Sequence, residues 1–325
     1  MRVAGIRPDE NFIMLKWIAA IFITLVSMGA HASFGEFLYA ANRSAEAWLA
    51  GLEEKTATVN GVEWHYYARH AEKDNCIVLV HGFTAEAGNW FRFARHLPKD
   101  QCLIVPDLPG FGGSPYKASM DFTIPQQAKR LQSFVNAIAP NGKRHLAGSS
   151  MGGHIVATYA LLEQSRIASL TLFDAAGVQS PVKSEANFGS KKKGRNPFDI
   201  KSREDFEKFL PWTMHDIPWM PSVVQAYLAD GYIERNNRYQ SILKTIYGKD
   251  MLDARLQELH VPTLVVWGEK DRLLNVSMAE VYHQGIKGSK KIVYPGLGHL
   301  PFLEDSSRAA ADYNRFLDGI TQQKN

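Results

Sequence analysis

A set of short runs, too brief for helices and apolar on both faces, constrains this chain most: Cys76 to Val80, Cys102 to Pro106, His145 to Gly148, Ser169 to Phe173, Thr263 to Trp267 and Lys291 to Tyr294. Strands buried on both sides read this way, whereas half-exposed strands alternate. Helix-length stretches lie between the runs, among them Ile124 to Ile138, Gly152 to Glu163 and Met278 to Gln284. Strand and helix in alternation predict an α/β chain with a mostly parallel, doubly wound sheet. A length of 325 residues suits one such domain. One run differs: Val62 to Tyr67 alternates, so it is expected near a sheet edge with one wet face.

The rhythm breaks between about Gln179 and about Leu256, where no strand pattern appears and the sequence is rich in aromatics and prolines, including Pro211-Trp212 and Pro218-Trp219-Met220-Pro221. That is too long for a loop. Residues 179–256 are therefore expected to form an inserted helical cap over the carboxyl ends of the strands, where open α/β sheets place their sites. The cap divides the core into residues 56–178 and 257–325. Its apolar side chains would enclose apolar substrate, with Trp212 and Trp219 as candidate contacts.

At the amino end, Trp17 to Ala30 is an apolar run of 14 residues preceded by Lys16 and followed by Ala30-His31-Ala32. A membrane-spanning helix needs about 20 residues. The small-x-small triplet offers a cleavage point, so residues 1–32 read first as a secretory signal peptide, and the protein as periplasmic or secreted. Counted from Phe12, with Lys16 snorkelling, residues 12–30 read instead as an uncleaved anchor that would associate the protein with a membrane. Asp9 and Glu10 make a long leading region, which a start at Met14 would shorten. Residues 33–55 carry Phe34, Phe37, Leu38, Ala41, Ala45, Trp48, Leu49 and Leu52 at helical spacing. Their polar face is not lysine-rich, so this amphipathic helix is expected to pack on the domain.

The two cysteines, Cys76 and Cys102, stand at equivalent positions before their runs. Two buried thiols are the simpler expectation. On neighbouring strands of an exported chain they would be placed to form a disulfide. A formal charge of +4, from 37 Lys+Arg against 33 Asp+Glu, is too slight and scattered for nucleic-acid binding. The basic cluster Lys191-Lys192-Lys193-Gly194-Arg195 reads as a solvated loop.

Chemistry is concentrated at Gly148-Ser149-Ser150-Met151-Gly152-Gly153, between an apolar strand and a helical stretch. This is the pattern of a nucleophile elbow, in which glycines leave room for a strained turn that lifts Ser150 above the sheet. The run Thr263 to Trp267 leads into Gly268-Glu269-Lys270-Asp271, and Lys291 to Tyr294 into Pro295-Gly296-Leu297-Gly298-His299. Each residue falls on a loop just past a strand end, in the order serine, aspartate, histidine. Ser150 is thus the candidate nucleophile, His299 its base and Asp271 the orienting acid. Asp174, also at a strand end, is the rival for the acid. Oxyanion donors are expected from the backbone N–H groups of Phe83, in His81-Gly82-Phe83, and of Met151. His81 itself is read as shaping its loop. Asp107-Leu108-Pro109-Gly110-Phe111-Gly112-Gly113-Ser114 lacks a phosphate loop's lysine and is read as a tight turn. No residue set has metal-ligand spacing and no dinucleotide fingerprint occurs, so no cofactor or metal is implied.

The motifs HGFTAEAGNWFRFARHL, DLPGFGGS, GSSMGG, DAAGV, NPF, VPTLVVWGEKDRLL and GLGHLPFLE together resemble the bacterial lipases of lipolytic family V, and also the mammalian monoacylglycerol lipases, from about Leu52 to about Leu317. The resemblance implies the α/β-hydrolase fold and hydrolysis of fatty acyl esters, with Ser150, Asp271 and His299 at the catalytic positions. The substrate would be a small acyl ester or lipid, with Phe83 among its contacts, and no obligate protein partner is implied. Ser149 stands where asparagine is frequent in the family, which leaves fine substrate preference open. The alternatives are a carbon-carbon bond hydrolase of ring-cleavage products, whose oxyanion loop resembles HGxGPG rather than HGFTAE, and a non-catalytic binding protein of the same fold.

Overall fold

The computed structural model describes residues 33–186, 188 and 196–322. The Trp17 to Ala30 run, with the signal-peptide and anchor readings that rest on it, and the Lys191 to Arg195 cluster lie outside the described residues.

Helix α1, Phe34–Leu49, starts at Ser33, whose hydroxyl accepts the Glu36 N–H at 3.2 Å. It stops where Gly51 takes a φ of 70° and the N–H of Leu52 turns back to Ala47 O. The expectation of one helix through residue 55 is therefore corrected, because Glu53–Val59 is strand β1. β1 is an exposed edge, so its sequence carries no apolar alternation to announce it. Asn60 and Gly61, both at positive φ, turn β1 into β2, Val62–Arg69, in the tight turn that suits strand twist.

The remaining strands are β3 Ile77–Val80, β4 Leu103–Pro106, β5 Arg144–Ser149, β6 Ile167–Phe173, β7 Thr263–Gly268 and β8 Lys290–Tyr294. The eight form one sheet in the order β1-β2-β4-β3-β5-β6-β7-β8, antiparallel across the first two pairings and parallel thereafter. The strand 62–69 lies next to the edge, as its alternation suggests. β8 is the far edge and is more exposed than the doubly apolar reading implied.

The other α-helices among the described residues are α2 Phe91–Ala94, α3 Ile124–Ile138, α4 Met151–Leu162, α5 Arg203–Thr213, α6 Ser222–Ile246, α7 Ser277–Gly285, α8 Pro301–Glu304 and α9 Ser306–Gln322. Two cores result, one on each face of the sheet. Val78 and Val80 of β3 join the core with Leu131 and Phe134 of α3, whereas Ile77 and Leu79 join that with Phe93 of α2 and Tyr313 of α9. Alternate side chains of one strand thus bury on opposite faces, each contributing about 1.5–3 kcal/mol.

Cys76 and Cys102 form a disulfide, with Cα atoms 4.6 Å apart, which corrects the expectation of two free thiols. The cause is register: parallel pairing sets Ile77 opposite Leu103, so the residues just before them are also neighbours.

α5 and α6 lie between β6 and β7, within the stretch expected as a cap. α1 packs on α6: a side chain on Gly35 would overlap the Val223 carbonyl, and the rings of Tyr39 and Tyr227 are 5.7 Å apart.

Candidate active site

Between β5 and α4 the chain reverses at Ser150, which has φ 54° and ψ −120°, a conformation that costs a non-glycine residue about 1–3 kcal/mol. The surroundings over-determine it. Ser150 N–H donates to Phe173 O at 3.0 Å, and Ser150 O accepts N–H bonds from His154 and Ala176. Gly152 packs so closely that a Cβ would sit inside contact distance of the Val80 and His81 carbonyl oxygens. Close backbone approach, rather than turn conformation, is why glycine is needed there.

Asp271 and His299 follow β7 and β8. Their loops touch: Lys270 N–H donates to Leu297 O at 2.8 Å. His299 Nδ1 and Asp271 Oδ2 are 2.7 Å apart, both residues being buried. Asp271 Oδ1 accepts N–H bonds from Leu273 at 2.8 Å and Leu274 at 3.0 Å. The carboxylate is therefore fixed on both oxygens. The histidine loop has its own brace in Glu304, which accepts N–H bonds from Gly298, His215 and Asp216 and so ties the loop to the end of α5. Burial raises the Glu304 pKa above the ordinary carboxylate value.

Gly82 lies against the serine, a Cβ there falling 3.1 Å from Ser150 Cβ. Phe83 follows, and its N–H enters no backbone hydrogen bond among the described residues. Met151 is the first residue of α4, so its N–H has no carbonyl a turn earlier to meet. His81 is fully buried and bridges two loops: its Nε2 accepts the Leu108 N–H at 2.9 Å, which leaves the proton on Nδ1 for Gly82 O at 2.7 Å. Burial lowers its pKa, in keeping with the neutral ring. The next loop is pinned by Asp107, whose carboxylate accepts the N–H of Ala87 at 2.6 Å and of Gly113 at 2.8 Å and meets His65 Nδ1 at 2.7 Å. Burial opposes ionisation of Asp107, but the bond to His65 and the charge of Arg43 hold its pKa below the usual range.

Ser150, His299, Gly82 and Phe83 line one cavity of about 1080 Å³. Its far wall comes from α5 and α6. Phe206, Phe209, Leu210 and Thr213 of α5 line it at helical spacing, and Trp219, 86% exposed, stands in the wall between the two helices. Trp212 is a correction. It lies off that helix face and outside the cavity wall, with its ring under the Arg272 guanidinium at 4.4 Å. Tyr39 and Arg43 of α1 also line the cavity. The sequence showed an amphipathic α1 but gave no sign of which surface it would meet.

An imidazole oriented by a buried carboxylate, a serine in a strained turn and two N–H groups beside it are the parts needed for acyl transfer. Asp174, Asp271 and His299 also each offer an atom within 4.8 Å of the others. The 2.7 Å contact between His299 and Asp271 is a hydrogen-bond distance.

Residues 75–306 match the family model described as the alpha/beta hydrolase fold. Lipase 3 of Moraxella sp. (strain TA144) is 33% identical over 276 residues, covering 83% of this chain and 86% of its own. Monoacylglycerol lipase abhd6-A of Xenopus laevis is 29% identical over 291 residues, covering 85% of each. A crystal structure described as a membrane phospholipase A, a novel bacterial virulence factor, superposes with a TM-score of 0.84 at 34% identity, covering 96% of this chain and 97% of that one. The chain belongs to the α/β-hydrolase family, and within it is related to bacterial lipases and to monoacylglycerol lipases.

Proposed function

We propose that this protein is a serine carboxylic-ester hydrolase, a lipase or esterase that cleaves fatty acyl esters through an acyl-enzyme on Ser150. The observation that carries the reading is the buried His299–Asp271 hydrogen bond at 2.7 Å, set on the cavity that also holds Ser150. His299 takes the Ser150 proton as the hydroxyl attacks the ester carbonyl. The Phe83 and Met151 N–H groups hold the oxyanion, each such donor being worth about 10²–10³ in rate. The alcohol leaves with the proton from His299, and water repeats the steps on the acyl-enzyme. Asp271 stays ionised and keeps the imidazole proton on Nδ1.

The predominantly apolar far wall suits an acyl chain, with Phe83 and Trp219 as contacts. The names of the related lipases support a lipid ester as substrate. The Cys76–Cys102 bond supports an exported protein, since disulfides persist in oxidising compartments.

The test is the initial rate on p-nitrophenyl esters of increasing acyl length, with the protein lacking residues 1–32 and its Ser150→Ala variant. Turnover that favours medium or long chains and vanishes in the variant is expected. Wild-type protein that is folded but neither cleaves these esters nor labels with a fluorophosphonate at Ser150 would sink the reading.

A further inference from the structure

Asp174, the residue after β6, has no part in that mechanism, yet it lies against the site. It is fully buried at φ 45°. Its Oδ1 accepts the Gly268 N–H at 2.9 Å, while Oδ2 has no hydrogen-bond partner among the described residues. One oxygen of Asp174, one of Asp271 and a ring nitrogen of His299 lie within 4.8 Å of one another. Sheet register explains the convergence: Phe173 pairs with Val266, so the ends of β6 and β7 each present a carboxyl to one imidazole. A buried carboxyl oxygen left without a donor costs about 1–3 kcal/mol, more if it is charged.

Two carboxyls this close in an interior do not both ionise; one takes the charge and the other keeps its proton. Hydrogen bonds decide which. Asp271 accepts two backbone N–H groups and the imidazole, Asp174 only one N–H. Burial, and then the charge of Asp271, push the Asp174 pKa well above the carboxylate range, and Glu304 acts in the same direction. The pair therefore carries one negative charge, held by Asp271.

We propose that Asp174 is a reserve acid for His299: neutral while Asp271 is present, and able to take over both the negative charge and the bond to the imidazole once Asp271 is gone. In the intact site Asp174 acts only through Asp271 and is a positioning residue. The proposal rests on the serine-hydrolase reading above. The Asp174 oxygen lies within 4.8 Å of the imidazole, so reaching the 2.7 Å of a hydrogen bond takes a shift of at most about 2 Å, within reach of one aspartate side chain when its neighbour is truncated.

The experiment compares kcat/KM on a p-nitrophenyl ester, as a function of pH, for wild type, Asp271→Asn, Asp271→Ala, Asp271→Ala/Asp174→Asn and Asp174→Asn, each checked for folding by thermal melt. In Asp271→Asn the Leu273 and Leu274 N–H groups hold the amide oxygen, so the NH₂ faces His299 Nδ1. The wrong tautomer then costs about 10⁴-fold, as it does in a serine protease triad. Asp271→Ala, the more drastic truncation, is expected to lose only about 10²-fold, because Asp174 ionises and pairs with His299. Adding Asp174→Asn to it brings activity down to the level of Asp271→Asn. Asp174→Asn alone lowers kcat/KM by less than about tenfold and leaves the acidic limb of the pH profile in place, since no charge is removed.

Equal activity in Asp271→Ala and its double variant overturns the proposal, as does Asp271→Ala being no more active than Asp271→Asn. A shift of the acidic limb to lower pH in Asp174→Asn also overturns it, by showing that Asp174 was charged. An inactive, unlabelled wild type overturns the serine-hydrolase reading itself; an active wild type with any of these patterns overturns the reserve acid alone.

Discussion

Replacing Cys76 and Cys102 together by alanine removes a cross-link between residues 26 apart in sequence. In the chain-entropy account a closed loop lowers the unfolded chain's entropy by about 2.1 + 1.5R ln n cal/mol/K, so for n of 26 the bond stabilises the fold by roughly 3.5 kcal/mol at 25 °C. Both residues are buried, so the lost sulfur contacts add to that figure. The bond sits at the amino ends of β3 and β4, while the His81–Phe83 and Asp107 loops leave their carboxyl ends, four residues or about 13 Å away. The double variant is therefore expected to unfold at lower urea, with at least about 3.5 kcal/mol less stability and an unchanged kcat/KM at 25 °C. Urea melts followed by tryptophan fluorescence, with ester kinetics on the same samples, measure both. A stability loss under about 1 kcal/mol would refute the loop-closure argument. A folded variant with impaired turnover would refute the independence of the two strand ends.

Gly152→Ala would push a methyl into the Val80 and His81 carbonyl oxygens and displace the loop that carries Phe83. It is expected to cut kcat about 10²-fold or more, as loss of one oxyanion donor does, in steady-state ester kinetics. His154 of α4 is buried with Nε2 on Asp250 O, and burial pushes its pKa down to about 4. The unfolded chain binds a proton there below about pH 6.5 that the folded chain refuses until about pH 4, so acidification across this window removes up to about 3 kcal/mol of stability. His154→Gln is expected to flatten that part of the stability profile in urea melts at pH 4 to 7. Trp219→Ala is expected to raise KM for long-chain esters about fivefold, a loss near 1 kcal/mol of chain contact, and to leave short-chain esters alone, whereas Trp212→Ala does neither.

The family, the strand and helix alternation and the strand-end positions of Ser150, Asp271 and His299 were legible in the sequence because each is announced locally. A doubly buried strand has no polar alternation, Gly148-Ser149-Ser150-Met151-Gly152 carries its own turn chemistry, and Asp271 and His299 sit directly after strand runs. β1 is invisible in the sequence because an edge strand in water needs no apolar face, so the helical spacing of α1 reads on to residue 55. Trp212 is expected in the cavity on composition alone, which says that a cap is aromatic but not which helix face turns inward. The disulfide, the place of Tyr39 and Arg43 in the cavity wall and the approach of Asp174 to His299 were decided by tertiary structure alone. Each depends on which residues, tens of positions apart, the sheet register and helix packing bring within a few ångströms, and local pattern carries no record of that distance.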